Sequence, residues 1–229
     1  VAPDASVVAV LAYPATAELI NTAVLNDTDV KVEISVVQLT DRPSQPMAIT
    51  TASSDFSCSA ANATGLFELV VGAPCTVLLT SSQTQGGTAS VLVTSQQGGT
   101  HASVPLTVWF PLQLSVQVAD GVLNRIGGSE KCASPLYQHT EATAVAVFGG
   151  AGLVNVSNVD VTDLVSLKAS DSSVTLSEGV VYALSPGIAS VTVSGASVSV
   201  TPASVSVVEQ VVTVTSLRSA VVTGVVWSQ

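Results

Sequence analysis

Hydrophobic and polar residues alternate with a period of two along most of the chain. In residues 30–36, Val or Ile alternates with Lys, Glu and Ser, and in residues 112–118, Leu or Val alternates with Gln and Ser. The same alternation occurs in four shorter runs: 143–148, 190–193, 197–200 and 211–215. A period of two is typical of half-buried strands. Because no amphipathic helical pattern longer than two turns occurs, the sequence predicts an all-β protein.

Turn-forming residues separate these runs, among them Gly86-Gly87, Gly127-Gly128 and Pro186-Gly187. Short strands with turn signals about every 8–12 residues are typical of a β-sandwich. Between Pro105 and Pro111 lie two aromatic residues, and the prolines are expected to interrupt strand pairing. We therefore predict two tandem immunoglobulin-like (Ig-like) β-sandwich domains. The predicted domains are residues 1–108 and 109–229, with Trp109 and Phe110 at the interdomain junction.

Composition and charge exclude several classes of partner. Six Lys and Arg residues stand against sixteen Asp and Glu residues, which gives a net charge of −10. No basic patch is present to neutralise phosphates, so nucleic acid is excluded as a partner, and the same charge balance argues against docking on anionic lipid. No apolar stretch reaches 18 residues, so no membrane span is expected within the chain. The chain begins at Val1 without a leader, which indicates a processed mature chain or part of a longer one.

Cysteines and glycosylation sequons favour the secretory pathway and an extracellular location. Cys58 and Cys75 lie 17 residues apart, and a disulfide across that loop would contribute roughly 3 kcal/mol to stability. The alternative is two buried free thiols in a cytosolic domain. Cys132 is left over, either buried or paired with a cysteine elsewhere. Three Asn-X-Ser/Thr sequons predict N-linked glycans on Asn26, Asn62 and Asn155.

Residue patterns of an active site are absent from the sequence. A hydrolase needs a nucleophile beside a base, but the two histidines, His101 and His139, are accompanied by no GxSxG motif. No P-loop, dinucleotide-binding fingerprint or CxxC pattern occurs, so neither catalysis nor a cofactor is expected. Loop carboxylates are the candidates for Ca²⁺, but their spacing matches no EF-hand, and a solubilising role is favoured over a metal site. These carboxylates are Asp27 and Asp29 in one loop and Asp160, Asp163 and Asp171 in another.

Several short motifs resemble, in the same order, segments of the transmembrane protein 132 family. They are Glu18–Leu25, the valine-rich strand to Val37, Cys58, Cys75, Val108–Leu112, Asp120–Ile126, Cys132–His139, Val212–Leu217 and Val221–Gly224. The resemblance implies tandem Ig-like domains from the extracellular part of a single-pass surface glycoprotein that acts in cell adhesion and has no enzymatic activity. The chain departs from the family after Ile126, where Gly127-Gly128-Ser129 replaces a more charged segment with a Trp. Residues 174–193 resemble the meander near the end of bacterial-Ig-like (BIG) domains.

Two functions are consistent with these patterns. The first is an extracellular adhesion or recognition module that binds protein partners. The second is a subunit of an extracellular filament that assembles head to tail through self-association. In that case the apolar strand Val7–Ala12 would complete a neighbour's sheet, and the apolar segment Val221–Trp227 would leave another exposed edge. The simpler alternative for Val1–Ala12 is that it forms a linker or the first strand of its own domain.

Overall fold

The computed structural model describes residues 6–41, 47–50, 56–70, 75–96, 99–127 and 134–213. These residues are folded mainly as strands, which confirms the all-β prediction. This part also contains a four-residue helix, α1 (Ala23–Asn26), and a 3₁₀ turn, Thr162–Leu164. The first nine strands are β1 (Val7–Pro14), β2 (Glu18–Ile20), β3 (Val30–Thr40), β4 (Met47–Thr50), β5 (Phe56–Ala61), β6 (Glu68–Leu69), β7 (Thr76–Leu79), β8 (Gly87–Ser95) and β9 (His101–Val118). The remaining strands are β10 (Val122–Ile126), β11 (His139–Gly149), β12 (Val156–Asp160), β13 (Ser166–Ala169), β14 (Val174–Ser177), β15 (Val180–Ala183), β16 (Gly187–Ser194), β17 (Ser199–Thr201) and β18 (Ala203–Val212).

The chain forms two compact units, and the first contains an Ig-like β-sandwich. This unit takes the described residues of Val1–Gln117, Thr143–Lys168 and Thr192–Pro202. One sheet has the antiparallel order β1-β3-β7-β6, with β4 added to β3. In the other sheet, β8 lies between β5 and β9, and β2 pairs with β9 in parallel. Side chains from both sheets form one buried hydrophobic cluster, as expected for two sheets packed face to face.

The alternation in the sequence produces this core. Along β8, Val91 and Val93 are fully buried, whereas Leu92 between them is exposed. Successive side chains of a strand point to opposite faces, so one face of each strand enters the core and the other meets solvent. Complete burial of a Val or Leu side chain contributes roughly 1.5–3 kcal/mol to stability. A slip of one residue would move these side chains to the solvent face, so the alternation fixes the register of the sheets.

One detail of the sequence interpretation is wrong at the prolines near residue 108. Strand β9 runs without a break from His101 to Val118, and Pro105 is paired with Ser90 of β8. Proline removes only its own N–H, so it fits a ladder where that N–H would face away from the neighbouring strand. The prolines therefore do not end the strand, and the division of the chain at residue 108 stays a prediction.

The second unit takes the described residues of Val118–Ala142, Ala169–Val191 and Ala203–Gln229. In it, β18 lies between β10, which is parallel to it, and β16, which is antiparallel. Strand β15 lies between β14 and the first residues of β11. Leu123, Val181, Val191 and Val205 are fully buried in this unit.

The segment that resembles a BIG meander is only partly a meander. Its first two strands, β14 and β15, form the predicted hairpin at Glu178-Gly179, where both residues have positive φ, 51° and 76°. Two positive φ values are the requirement of a type I′ turn, which matches the twist of a hairpin. The third strand, β16, pairs with β18 instead of β15. The chain leaves the hairpin at Leu184, where the N–H groups of Leu184 and Ser185 both donate to Ser173 O.

Candidate functional site

A disulfide between Cys58 and Cys75 joins the two sheets of the first unit. Cys58 lies on β5, and Cys75 directly precedes β7 in the opposite sheet. Their Cα atoms are 5.7 Å apart, in the normal range for a disulfide. Cys75 is only 3% exposed and belongs to the hydrophobic core. The predicted disulfide is thus supported, whereas Cys132 lies outside the described residues.

The outer strand β1 presents apolar side chains to solvent. It pairs with β3 along one edge, and no other described strand pairs with its second edge. Val8, Leu11 and Tyr13 are 56%, 51% and 53% exposed, and the strand contains no charged residue. After a bulge between Val7 and Ala9, the register is regular to Pro14. We call this edge of β1, which pairs with no described strand, together with Val8, Leu11 and Tyr13 the β1 surface. An unpaired edge beside apolar side chains is suited to binding another polypeptide.

The pairing of β1 bears directly on the filament hypothesis. Residues Val7–Pro14 complete the sheet of their own chain against β3, as the simpler alternative predicted. A strand that already pairs within its own chain is not available to complete the sheet of a neighbouring molecule. Donation of the strand Val7–Ala12 to a neighbour is therefore not favoured. The other apolar segment of that hypothesis, Val221–Trp227, lies outside the described residues.

The three sequon asparagines all lie at exposed positions. Asn26 ends α1, and its Oδ1 accepts a hydrogen bond from the Thr28 N–H at 3.0 Å. Asn62 follows β5 with a positive φ of 57°, and Asn155 directly precedes β12. No hydrogen bond from the Nδ2 atom of these asparagines is found in the described part of the chain. Each Nδ2 is therefore accessible to a glycan, and occupancy stays a prediction.

A polar groove of about 670 Å³ opens beside Asn26 in the first unit. One wall is α1 with Asn26 and Asp27, where Asp27 Oδ1 accepts a hydrogen bond from Ser81 Oγ at 2.6 Å. Two further segments line the groove: residues 163–166, around the end of the 3₁₀ turn, and Ser194, Gly195 and Ser197. Ser194 Oγ donates to Ser166 O at 3.1 Å, which ties these two segments together.

The predicted junction residues differ in their surroundings. Phe110 is buried, whereas Trp109 is half-buried and its indole N–H donates to Glu18 Oε2 at 2.6 Å. The two side chains follow the alternation of β9 and therefore point to opposite faces of the strand. Their place at an interdomain junction stays a prediction.

Sequence reasoning missed a buried polar group next to Trp109. Asn21 is completely buried, its N–H donates to Trp109 O at 2.9 Å, and its Nδ2 donates to Thr80 O at 3.2 Å. Its Oδ1 has no hydrogen-bond partner within the described residues. The only signal was its place in the segment Glu18–Leu25 that resembles the family. A buried asparagine with two backbone partners fixes the course of the chain between β2 and α1.

The histidines and carboxylates considered for chemistry serve local structure. His139 stacks on Tyr182 with ring centroids 5.6 Å apart, and His101 is exposed at the start of β9. Asp160 accepts hydrogen bonds from Thr162 Oγ1 and N at 2.7 and 2.9 Å, and these bonds lower the pKa of Asp160. In the same way, the hydrogen bond from the Ser173 N–H, at 2.7 Å, lowers the pKa of Asp171.

Within the ranges that the structure describes, no three His, Cys, Asp or Glu side chains are grouped to hold a metal ion. None of the described helices is long and apolar enough to span a membrane.

One ionic cluster of the second unit joins three elements. Glu209 on β18 accepts a hydrogen bond from the Tyr137 hydroxyl at 2.6 Å and pairs with Arg125 Nη1 of β10 at 3.1 Å. Tyr137 is buried, and its backbone forms an isolated antiparallel β-bridge with that of Arg125. The cluster therefore links the two parallel strands with the segment that precedes β11.

Comparison with family models matches residues 9–113 to the fourth domain of TMEM132, an Ig-like domain. The family resemblance seen in the sequence is thereby confirmed over this segment, which is somewhat under half of the chain. The resemblance of residues 174–193 to a BIG domain is not confirmed. Comparison with curated proteins found no match.

Solved structures with similar folds include proteins from phage and bacteria. The three N-terminal domains of the bacteriophage RB49 outer capsid protein Hoc are 10% identical with a TM-score of 0.35, and the match covers 89% of this chain and 70% of that one. InvD of Yersinia pseudotuberculosis is 14% identical with a TM-score of 0.30, covering 87% and 57%. The four N-terminal Ig domains of Dscam1 isoform 9.44 are 11% identical with a TM-score of 0.30, covering 91% and 46%. The chain thus spans 46–70% of the length of these structures, and scores this low carry no argument about function.

Proposed function

We propose, from the premise that residues 9–113 match the fourth domain of TMEM132, that this chain is a non-catalytic, extracellular adhesion or recognition module. The observation that carries the proposal is the β1 surface. It combines an open strand edge with three apolar side chains that are each more than half exposed. Isolated exposed apolar residues are ordinary on a folded protein, but three on one uncharged edge strand favour a protein-binding surface.

The proposed partner is a second copy of the chain. The β1 strand carries no charged side chain although the chain has a net charge of −10, so pairing of two copies through β1 brings no like charges of this strand together. Antiparallel pairing of one β1 edge with another is self-complementary, which is the requirement of a two-fold symmetric contact. Regular backbone from Ala9 to Pro14 provides the hydrogen-bonding groups for this pairing.

An extracellular location accounts for two other features. The Cys58–Cys75 disulfide persists in an oxidising compartment, and disulfides are rare in the cytosol. Three exposed sequons are consistent with N-linked glycans, which are added in the secretory pathway. We therefore propose glycans on Asn26, Asn62 and Asn155, and this proposal is tested by mass spectrometry of the secreted chain.

A bead-aggregation assay tests adhesion. The chain secreted from animal cells is coupled to beads, and clustering is compared for the wild type and for Leu11→Lys. Burial of a leucine contributes roughly 1.5–3 kcal/mol, so a lysine there should weaken association about tenfold or more. The matched control is Val154→Lys, because Val154 is 84% exposed on a loop outside the β1 surface. Both variants should keep the wild-type circular dichroism spectrum and melting temperature.

The outcomes separate the alternatives. Clustering that Leu11→Lys abolishes and Val154→Lys preserves supports adhesion through β1. Equal loss in both variants, or no loss in either, contradicts the assignment to β1. If wild-type beads stay dispersed but bind to cells in a manner that depends on Leu11, the adhesion function holds with a different protein as the partner. Beads that neither cluster nor bind cells contradict the proposed function.

A further inference from the structure

The polar groove beside Asn26 has a combination of groups that suits a carbohydrate. Asp27, Asp163 and several serines line it, and Leu164 and Val165 add half-buried aliphatic surface. Carboxylates and hydroxyls form hydrogen bonds with sugar hydroxyls, while aliphatic side chains pack against the C–H faces of the ring. A volume of about 670 Å³ is within the usual range of small-molecule sites.

The position of Asn26 indicates which carbohydrate would reach the groove. Asn26 is itself part of the lining, it is exposed, and its side chain is oriented by the hydrogen bond from Thr28 N to Oδ1. That bond uses the oxygen of the amide and leaves Nδ2, the atom that carries an N-linked sugar, without a partner among the described residues. A sugar attached there is tethered at the groove, so even weak contacts are populated at a high effective concentration.

We infer that the groove is the seat of the first sugars of an N-linked glycan on Asn26 of the same chain. This inference rests on the proposed extracellular location and names a role for one of its glycans. The glycan would cover residues 163–166 and 194–197 and hold them against α1. The other two sequons are outside this lining: Asn62 lines a different, smaller groove with Thr88 and Pro105, and Asn155 lines neither.

Hydrogen–deuterium exchange of the secreted chain tests the inference, with peptide mass spectrometry to locate the glycans. The wild type is compared with Asn26→Gln and with Thr28→Ala, which removes the sequon but keeps the backbone N–H that bonds to Asn26. Loss of the glycan should speed exchange in residues 163–166 and 194–197 by about threefold or more. Asn62→Gln and Asn155→Gln are the matched controls and should leave these segments unchanged.

Each result decides the question. Faster exchange of residues 163–166 and 194–197 in both sequon variants, with no change in the two controls, supports binding of the Asn26 glycan in the groove. If Asn26 carries a glycan whose removal changes exchange in neither segment, the glycan does not bind in the groove. That result leaves the proposed extracellular location intact. An unglycosylated Asn26 in the secreted chain overturns the inference altogether. Adhesion is measured separately by bead clustering, so its failure is distinguishable from either of these results.

Discussion

At the scale of single residues, Arg125, Tyr137 and Glu209 form a coupled group of titratable side chains. The hydrogen bond from the Tyr137 hydroxyl is the main reason that the pKa of Glu209 is lowered, and Arg125 lowers it further. The same hydrogen bond to Glu209 is the main reason that the pKa of Tyr137 is raised, with burial of the phenol adding to it. Both shifts favour the state in which Tyr137 is protonated and Glu209 is ionised, which is the state at neutral pH.

We predict that Glu209→Gln changes the pH dependence of stability at both ends. Because the folded pKa of Glu209 is lowered, its stabilising effect is present above the ordinary glutamate pKa and is lost as the pH falls through the folded value. Because the folded pKa of Tyr137 is raised, its effect is present below the ordinary tyrosine pKa and is lost as the pH rises through the folded value. The variant should be less stable at pH 7 and should lose less stability toward either extreme. Urea unfolding from about pH 3 to about pH 11 measures this dependence.

The control for this experiment is Glu68→Gln, which removes an exposed glutamate of β6 with the same change in charge. It should reproduce the wild-type curve within about 0.5 kcal/mol. Parallel curves for the wild type and Glu209→Gln would show that the cluster does not contribute to the pH dependence of stability, and would contradict the prediction.

At the scale of elements, the backbone segments at Gly86 and Gly150 approach each other closely within the first unit. Ala151 N donates to Gly86 O at 2.9 Å. A Cβ on Gly150 would lie 2.3 Å from Gly86 C and 2.4 Å from Gly87 N, and a Cβ on Gly86 would lie 2.3 Å from Gly149 O. These neighbours are backbone atoms, which cannot rotate away as a flexible side chain does. Glycine is therefore required on both sides of the contact.

We predict that Gly150→Ala destabilises the chain by about 1–3 kcal/mol, the usual cost of forcing a methyl group into packed surroundings. The matched control is Gly121→Ala, where the new Cβ would have Ser204 O at 3.5 Å as an ordinary contact. That change should alter stability by less than about 0.5 kcal/mol. Thermal or urea unfolding measures both variants. An equal and small effect of the two substitutions would show that the turns separate at little cost and would contradict the close contact.

Strand positions were predictable from sequence because burial on one face leaves a period of two in β3, β11 and β16. The hairpin between β14 and β15 was also predictable, since Glu178-Gly179 matches a turn that requires two positive φ values. Which strands pair was not predictable, because β15 and β16 are neighbours in sequence but belong to different ladders. Pairing depends on long-range packing, which the local alternation does not encode.

The candidate sites were less predictable than the strands. The Cys58–Cys75 disulfide and the three sequons carry residue-level signals, and the structure gives the disulfide support and the asparagines exposure. The groove beside Asn26 has no local signature, because its walls come from segments more than 130 residues apart in the sequence. The burial of Asn21 was likewise invisible, since an asparagine followed by Thr is ordinarily a surface turn.

At the scale of the whole molecule, the net charge of −10 opposes any contact between two copies. Association through the uncharged β1 surface then has two opposing parts, an apolar attraction at short range and a charge repulsion at longer range. Raising the salt concentration weakens only the second part, because the Debye length falls from about 30 Å at 0.01 M to about 8 Å at 0.15 M. Self-association through β1 should therefore strengthen with salt, whereas binding between opposite charges would weaken.

We predict that clustering of beads that carry the chain increases when NaCl is raised from about 0.01 M to about 0.15 M, and light scattering measures the increase. Leu11→Lys is a stringent control, because it reduces the net negative charge by one and on electrostatic grounds alone would promote clustering. If it prevents clustering at both salt concentrations, the attraction comes from the apolar β1 surface. Val154→Lys makes the same change of charge outside that surface and should cluster at least as well as the wild type. Clustering that falls as salt rises would contradict an apolar contact and indicate attraction between charged groups instead.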